Sequence, residues 1–144
     1  MNVVVLGGYG VFGSKLCELL CRDGHNVWMA GRDLRKAENL ATRLNAKPLY
    51  VDRTKDLSNI SQVEPAVVID ASGPFQSYGA EPYRVAEFCI TNGINYIDLS
   101  DSAEFTAGIT QLDAYAKKQV VLCFLVHPVY QRYLQLLLQS SLKV

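Results

Sequence analysis

Gly8, Gly10 and Gly13 stand in the spacing G-x-G-x-x-G within Leu6-Gly7-Gly8-Tyr9-Gly10-Val11-Phe12-Gly13-Ser14. An apolar, β-branched run (Val3-Val4-Val5-Leu6) precedes them, and a helical pattern follows. A strand, a glycine loop and a helix start in this order make a cradle for a pyrophosphate. Gly8 is expected to allow the tight turn out of the strand, Gly10 to let the backbone approach the phosphates, and Gly13 to let the helix pack closely on the sheet. The unpaired N–H groups of the helix start would then face the phosphate charge, with Tyr9, Val11 and Phe12 lining the cradle.

The end of the next strand separates two dinucleotides. In such sites an acidic residue about twenty positions past the glycines accepts from the ribose 2′-OH of NAD, whereas arginine there suits the 2′-phosphate of NADP. The chain reads Ala30-Gly31-Arg32-Asp33-Leu34-Arg35, with Arg32 nineteen residues after Gly13. Arg32 favours NADP. Asp33 keeps NAD as the alternative, since its carboxylate could meet a ribose hydroxyl or simply cap the next helix. Asp52, after a third strand, could meet the adenine amino group or cap its own loop. Ala71, Ser72, Gly73 and Pro74 are small or turn-forming residues at the end of a fourth strand and would let a cofactor lie against backbone. Asp98, Ser100 and Asp101 follow a fifth strand and could reach the substrate side. No catalytic residue and no metal ligand set is assigned.

The elements that must position these residues alternate. Strands are expected at 3–6, 27–30, 48–51, 66–71 and 96–99, with an apolar run at 120–126. Helices are expected at 12–23, 34–44, 57–63, 81–92 and 103–118. Alternation of this kind gives an α/β fold: a Rossmann-type doubly wound parallel sheet of about six strands in three α/β/α layers. Residues 1–126 form this domain, and 127–144 a tail with a helical pattern over 130–142.

Composition bounds the rest. The 144 residues suffice for one domain with a real core, and 49% hydrophobic against 19% charged residues describes a globule. Fourteen basic and fourteen acidic side chains cancel, so no global field draws in nucleic acid or an anionic membrane. Cys17, Cys21, Cys89 and Cys123 form no C-x-x-C pair. Cys17 and Cys21 are one helical turn apart, where an amphipathic helix would bury both. With the first strand beginning straight after Met1-Asn2, the sequence reads as cytoplasmic with reduced thiols. His25 is expected in a turn on the far side of the sheet.

Val4-Val5-Leu6-Gly7-Gly8-Tyr9-Gly10-Val11-Phe12-Gly13, Ala30-Gly31-Arg32-Asp33, Asp70-Ala71-Ser72-Gly73-Pro74-Phe75 and Tyr96-Ile97-Asp98-Leu99 together resemble the N-terminal domain of saccharopine dehydrogenase-like oxidoreductases, over about Met1 to Gln119. The resemblance implies an NAD(P)-binding Rossmann domain followed by a second α+β domain that completes the substrate pocket and often mediates dimerisation. Members act on varied or unknown substrates, so it does not imply saccharopine itself. A small-molecule substrate is expected only in a full-length relative.

After Gln119 the pattern departs. The family continues with a glycine-containing strand and a Ser-Gly-Ala-Ser-Ser-Val-Pro-like segment, but this chain reads Val-Val-Leu-Cys-Phe-Leu-Val-His-Pro-Val-Tyr-Gln-Arg-Tyr from Val120. Joining the free third base of each codon to the first two bases of the next permits Gly-Ala-Leu-Phe-Ser-Gly-Ala-Ser-Ser-Val-Pro-Ala-Leu-Ser-Ser-Ala over Val120 to Leu136. Sixteen consecutive family-like residues point to a frameshift near Gln119. His127 therefore receives no catalytic role. The run Leu136-Leu137-Leu138 is too short to cross a bilayer, and an exposed leucine face would favour homo-oligomer formation.

Overall fold

Among the described residues, six parallel strands in the order β3-β2-β1-β4-β5-β6 build one sheet. The computed structural model describes residues 1–125, so the expected helix at 130–142, with His127 and the leucine run, lies outside the described residues. The elements are β1 (Asn2–Leu6), α1 (Val11–Arg22), β2 (Asn26–Gly31), α2 (Leu34–Leu44), β3 (Lys47–Tyr50), α3 (Ser58–Ser61), β4 (Val67–Asp70), α4 (Arg84–Thr91), β5 (Asn95–Asp98), α5 (Ala103–Ile109), α6 (Asp113–Lys118) and β6 (Cys123–Leu125). The order reverses between β1 and β4. In doubly wound sheets ligands bind at this switch point, beyond the carboxyl ends of the strands.

Side-chain alternation sorts the core into two layers. Val3, Val5, Val27, Met29, Val67 and Ile69 pack with Cys17, Leu20, Ala37 and Ala41 from α1 and α2. Val4, Leu6, Val68 and Tyr96 pack on the other face with Ile60, Val85, Cys89, Phe105 and Ile109. Every residue of β4 is buried, as expected of a central parallel strand covered on both faces. Its continuous apolar run therefore carries no alternation, whereas β3, at the sheet edge, is only partly buried.

Two helix expectations change. The pattern over 103–118 is not one helix: α5 ends at Ile109, a 3-10 turn occupies Thr110–Leu112, and α6 follows. Gly108 is a weak helix former, and the Thr110 hydroxyl donates to the Ala107 carbonyl at 2.7 Å, both of which loosen the α-helical ladder there. Cys17 is buried, but Cys21 is only half-buried on the margin of α1.

Candidate functional site

The glycine loop turns through Gly8, closed by the Gly10 N–H donating to the Gly7 carbonyl at 2.8 Å, and the left-handed φ falls on Gly7. Gly7 has φ +69, in the left-handed region, and a methyl there would stand 2.6–2.9 Å from the backbone of Ala71 and Ser72. The β4 loop thus lies directly against the end of β1. At Gly13 a methyl would stand 2.2 Å from the Gly7 carbonyl oxygen, so α1 can start this close to the sheet only with glycine at that place. Gly8 is buried against Met29, and Gly10 is the exposed N-cap of α1.

That helix start has no side-chain cap and no acidic residue in its first turn. Val11 and Phe12 there are 85% and 60% exposed, an unusual state for large apolar side chains. Free first-turn N–H groups, a positive helix end and a backbone that excludes side chains fit a pyrophosphate.

At the end of β2 the two candidates separate. Asp33 caps α2: its Oδ1 accepts the Lys36 N–H at 3.1 Å. Arg32 is exposed and forms no ion pair among the described residues. A contact invisible in the spacing joins this end to the glycine loop. The Asp33 N–H donates to the Tyr9 hydroxyl at 3.0 Å, and the phenol ring lies against Gly31.

Asp52 is turned onto its own loop, where Oδ1 accepts from the Thr54 N–H at 3.0 Å and the Thr54 hydroxyl at 2.8 Å. These bonds, with the Lys55 and Arg32 charges, hold its carboxyl below the usual carboxylate range. Arg53 beside it lays its guanidinium over the Tyr78 ring, 3.2 Å from the centroid. The Tyr78 hydroxyl reaches both carboxylate oxygens of Asp70 at 3.1 Å and lies 2.8 Å from the Ser72 hydroxyl. Ala71 and Ser72 are half-buried, while Gly73 and Pro74 are exposed beyond them.

Asp98 and Ser100 do not open onto the substrate side. Both are buried, with the Ser100 N–H donating to Asp98 Oδ1 at 3.0 Å and the Ser100 hydroxyl accepting the Ser102 N–H at 3.1 Å. Ser102 in turn caps α5, which leaves Asp101 as the exposed residue of this loop.

The strand order, the switch point and the glycine cradle define a Rossmann-type domain whose cofactor class is a nicotinamide dinucleotide. The chain belongs to the family of the saccharopine dehydrogenase NADP binding domain, whose model matches residues 3–123. It is similar to apo saccharopine dehydrogenase (L-Glu forming) from Saccharomyces cerevisiae, at 24% identity and a TM-score of 0.70 over 86% of this chain and 26% of that one. It is also similar to GenD2 from gentamicin A biosynthesis, solved in complex with NAD, at 26% identity and a TM-score of 0.65 over 87% of this chain and 34% of that one. UDP-glucose-4-epimerase from Stenotrophomonas maltophila, with bound NAD, shares the fold at 18% identity and a TM-score of 0.67, over 88% of this chain and 52% of that one. No curated protein matches the chain. The chain therefore spans about a quarter to a third of the length of the first two. Among the described residues, no helix is long and apolar enough to cross a membrane.

Proposed function

We propose that this chain is the cofactor domain of an oxidoreductase and prefers NADP over NAD. The observation that carries the preference is the division of labour at the end of β2. The Asp33 carboxylate is engaged with the start of α2, while the Arg32 guanidinium is exposed and unpaired among the described residues. A carboxylate with one oxygen on the helix start and the other beside the Lys36 ammonium is a weaker partner for a ribose hydroxyl than a free guanidinium is for a phosphate. In this reading Gly8, Tyr9, Gly10, Val11 and Phe12 hold the pyrophosphate, and Arg32 the 2′-phosphate. Asp52 closes the adenine end, and Ala71, Ser72, Gly73 and Pro74 form the wall toward β4. When bound, the nicotinamide supplies hydride transfer. Titration of NADPH and NADH into the chain and its Arg32→Ala variant tests the preference. Loss of NADPH affinity by about tenfold or more, with NADH unchanged, supports it; equal effects on both dinucleotides overturn it.

A second reading concerns the end of the domain. Val121 N–H donates to the Ala116 carbonyl at 3.1 Å and Val120 N–H to the Lys117 carbonyl at 3.3 Å. This is a Schellman ending of α6, with Val120 at the position that glycine usually fills. Val120 sits there at φ +56, a conformation that is costly for a β-branched residue, and is 90% exposed. The alternative codon frame begins with glycine at this point. We therefore read the residues from Val120 onward as out of frame. The 144 residues then bind the dinucleotide without turning over a substrate, either as a non-catalytic module or as a remnant. The coding DNA decides: third bases that spell the Ser-Gly-Ala-Ser-Ser-Val-Pro segment support the reading, and any other third bases overturn it.

A further inference from the structure

We infer that the Tyr9 hydroxyl is a second reader of the ribose 2′ substituent, acting beside Arg32. The inference rests on the NADP preference proposed above. Tyr9 lies between the loop glycines, yet its side chain reaches across to the end of β2. A methyl on Gly31 would stand 2.5 Å from both the ring edge and the hydroxyl, so the glycine there makes room for the phenol. The hydroxyl accepts the Asp33 N–H at 3.0 Å, one residue past Arg32.

A phenol has one proton and two lone pairs. The Asp33 N–H occupies a lone pair and leaves the proton free, and among the described residues nothing accepts it. The end of β2 therefore offers two donors, the phenol and the Arg32 guanidinium. The nearby acceptor, the Asp33 carboxylate, has Oδ1 on the Lys36 N–H and Oδ2 3.7 Å from the Lys36 ammonium. A phosphate carries only acceptor oxygens and is served by both donors. A ribose hydroxyl presents one uncharged oxygen to the two donors and gains less from them than a phosphate does. Tyr9 would thus contribute discrimination and not merely brace the loop.

The test uses the 144-residue chain with 2′,5′-ADP and 5′-AMP, which differ only in the 2′-phosphate. Tyr9→Phe keeps the ring against Gly31 and removes the donor. It should weaken 2′,5′-ADP by about tenfold and change 5′-AMP by less than about twofold, with a small fall in melting temperature from the lost Asp33 N–H bond. Gly31→Ala, whose methyl displaces the phenol, should reproduce the selective loss. Equal weakening of both ligands by Tyr9→Phe would make the tyrosine a brace, and no change in either would make it a bystander; each overturns the inference. Arg32→Ala separates this from the underlying preference. If the wild type favours 2′,5′-ADP and only Arg32→Ala removes that preference, the NADP reading stands and the role of Tyr9 falls. If the wild type does not favour 2′,5′-ADP, both fall.

Discussion

Asp70 and Asp98 lie opposite each other in register at the carboxyl ends of β4 and β5, two buried carboxyl groups on one face of the sheet. They are not equally provided for. Asp70 is met by the Ser72 N–H and by the hydroxyls of Ser72 and Tyr78. Among the described residues Asp98 receives only the Ser100 N–H on Oδ1, and its Oδ2 has no partner.

Burial, with the neighbouring Asp70 charge, pushes the Asp98 carboxyl up to about 7. The folded chain then keeps a proton that the unfolded chain releases near 3.8. A raised carboxyl contributes stability that is complete below the unfolded value and lost as pH rises through the folded one. The loss falls between about pH 4 and 7 and amounts to at most about 4 kcal/mol. Asp98→Asn cannot titrate. Melting temperatures measured across this range should fall for the wild type relative to the variant; parallel curves would show that Asp98 does not carry the proton.

The packing at Gly13 makes a second expectation. A methyl there meets the Gly7 carbonyl at a distance no real contact allows, so backbone must move. Gly13→Ala should cost about 1–3 kcal/mol of stability in chemical denaturation. It should also weaken dinucleotide binding, because the shift opens the pyrophosphate cradle. A variant with wild-type stability and affinity would mean that α1 does not start against β1 as described.

Asp33 has a capping role that can be separated from cofactor reading. Removal of an N-cap acceptor typically costs about 1 kcal/mol. Asp33→Ala should therefore lower the unfolding free energy by roughly that amount and leave NADPH affinity within about twofold. A collapse of NADH affinity in this variant would instead show the carboxylate meeting the ribose.

Val120 yields a stabilising substitution. An L-residue in the left-handed helical region costs about 1–2 kcal/mol, and glycine avoids it. Val120→Gly should raise the unfolding free energy by about 1 kcal/mol. Destabilisation would mean that the α6 ending does not have the Schellman geometry.

Much of this was legible in the sequence where a single residue type answers to backbone shape. The glycine spacing located the cradle and the helix after it, and strand–helix alternation gave the parallel sheet. Even there the positive φ falls on Gly7 and not on a glycine of the motif, because G-x-G-x-x-G spacing does not say which glycine takes it. Asp33 was ambiguous because one carboxylate can cap or bind; the Lys36 N–H bond shows the cap, which the spacing alone does not. The Tyr9–Asp33 and Arg53–Tyr78 contacts left no trace in the spacing: they join residues on different loops that meet only once the sheet is assembled. Asp98 and Ser100 could have reached the substrate side or capped their own loop, and their hydrogen bonds turn them inward. A strand-end position alone does not fix which way a side chain points.

Every functional prediction above depends on a nicotinamide dinucleotide binding at the switch point between β1 and β4. The most direct measurement is calorimetric titration of the 144-residue chain with NADPH, followed by NADH. Saturable binding at one site per chain, tighter for NADPH, is the predicted result. Absence of binding for both dinucleotides would contradict the account and leave the glycine cradle without a ligand.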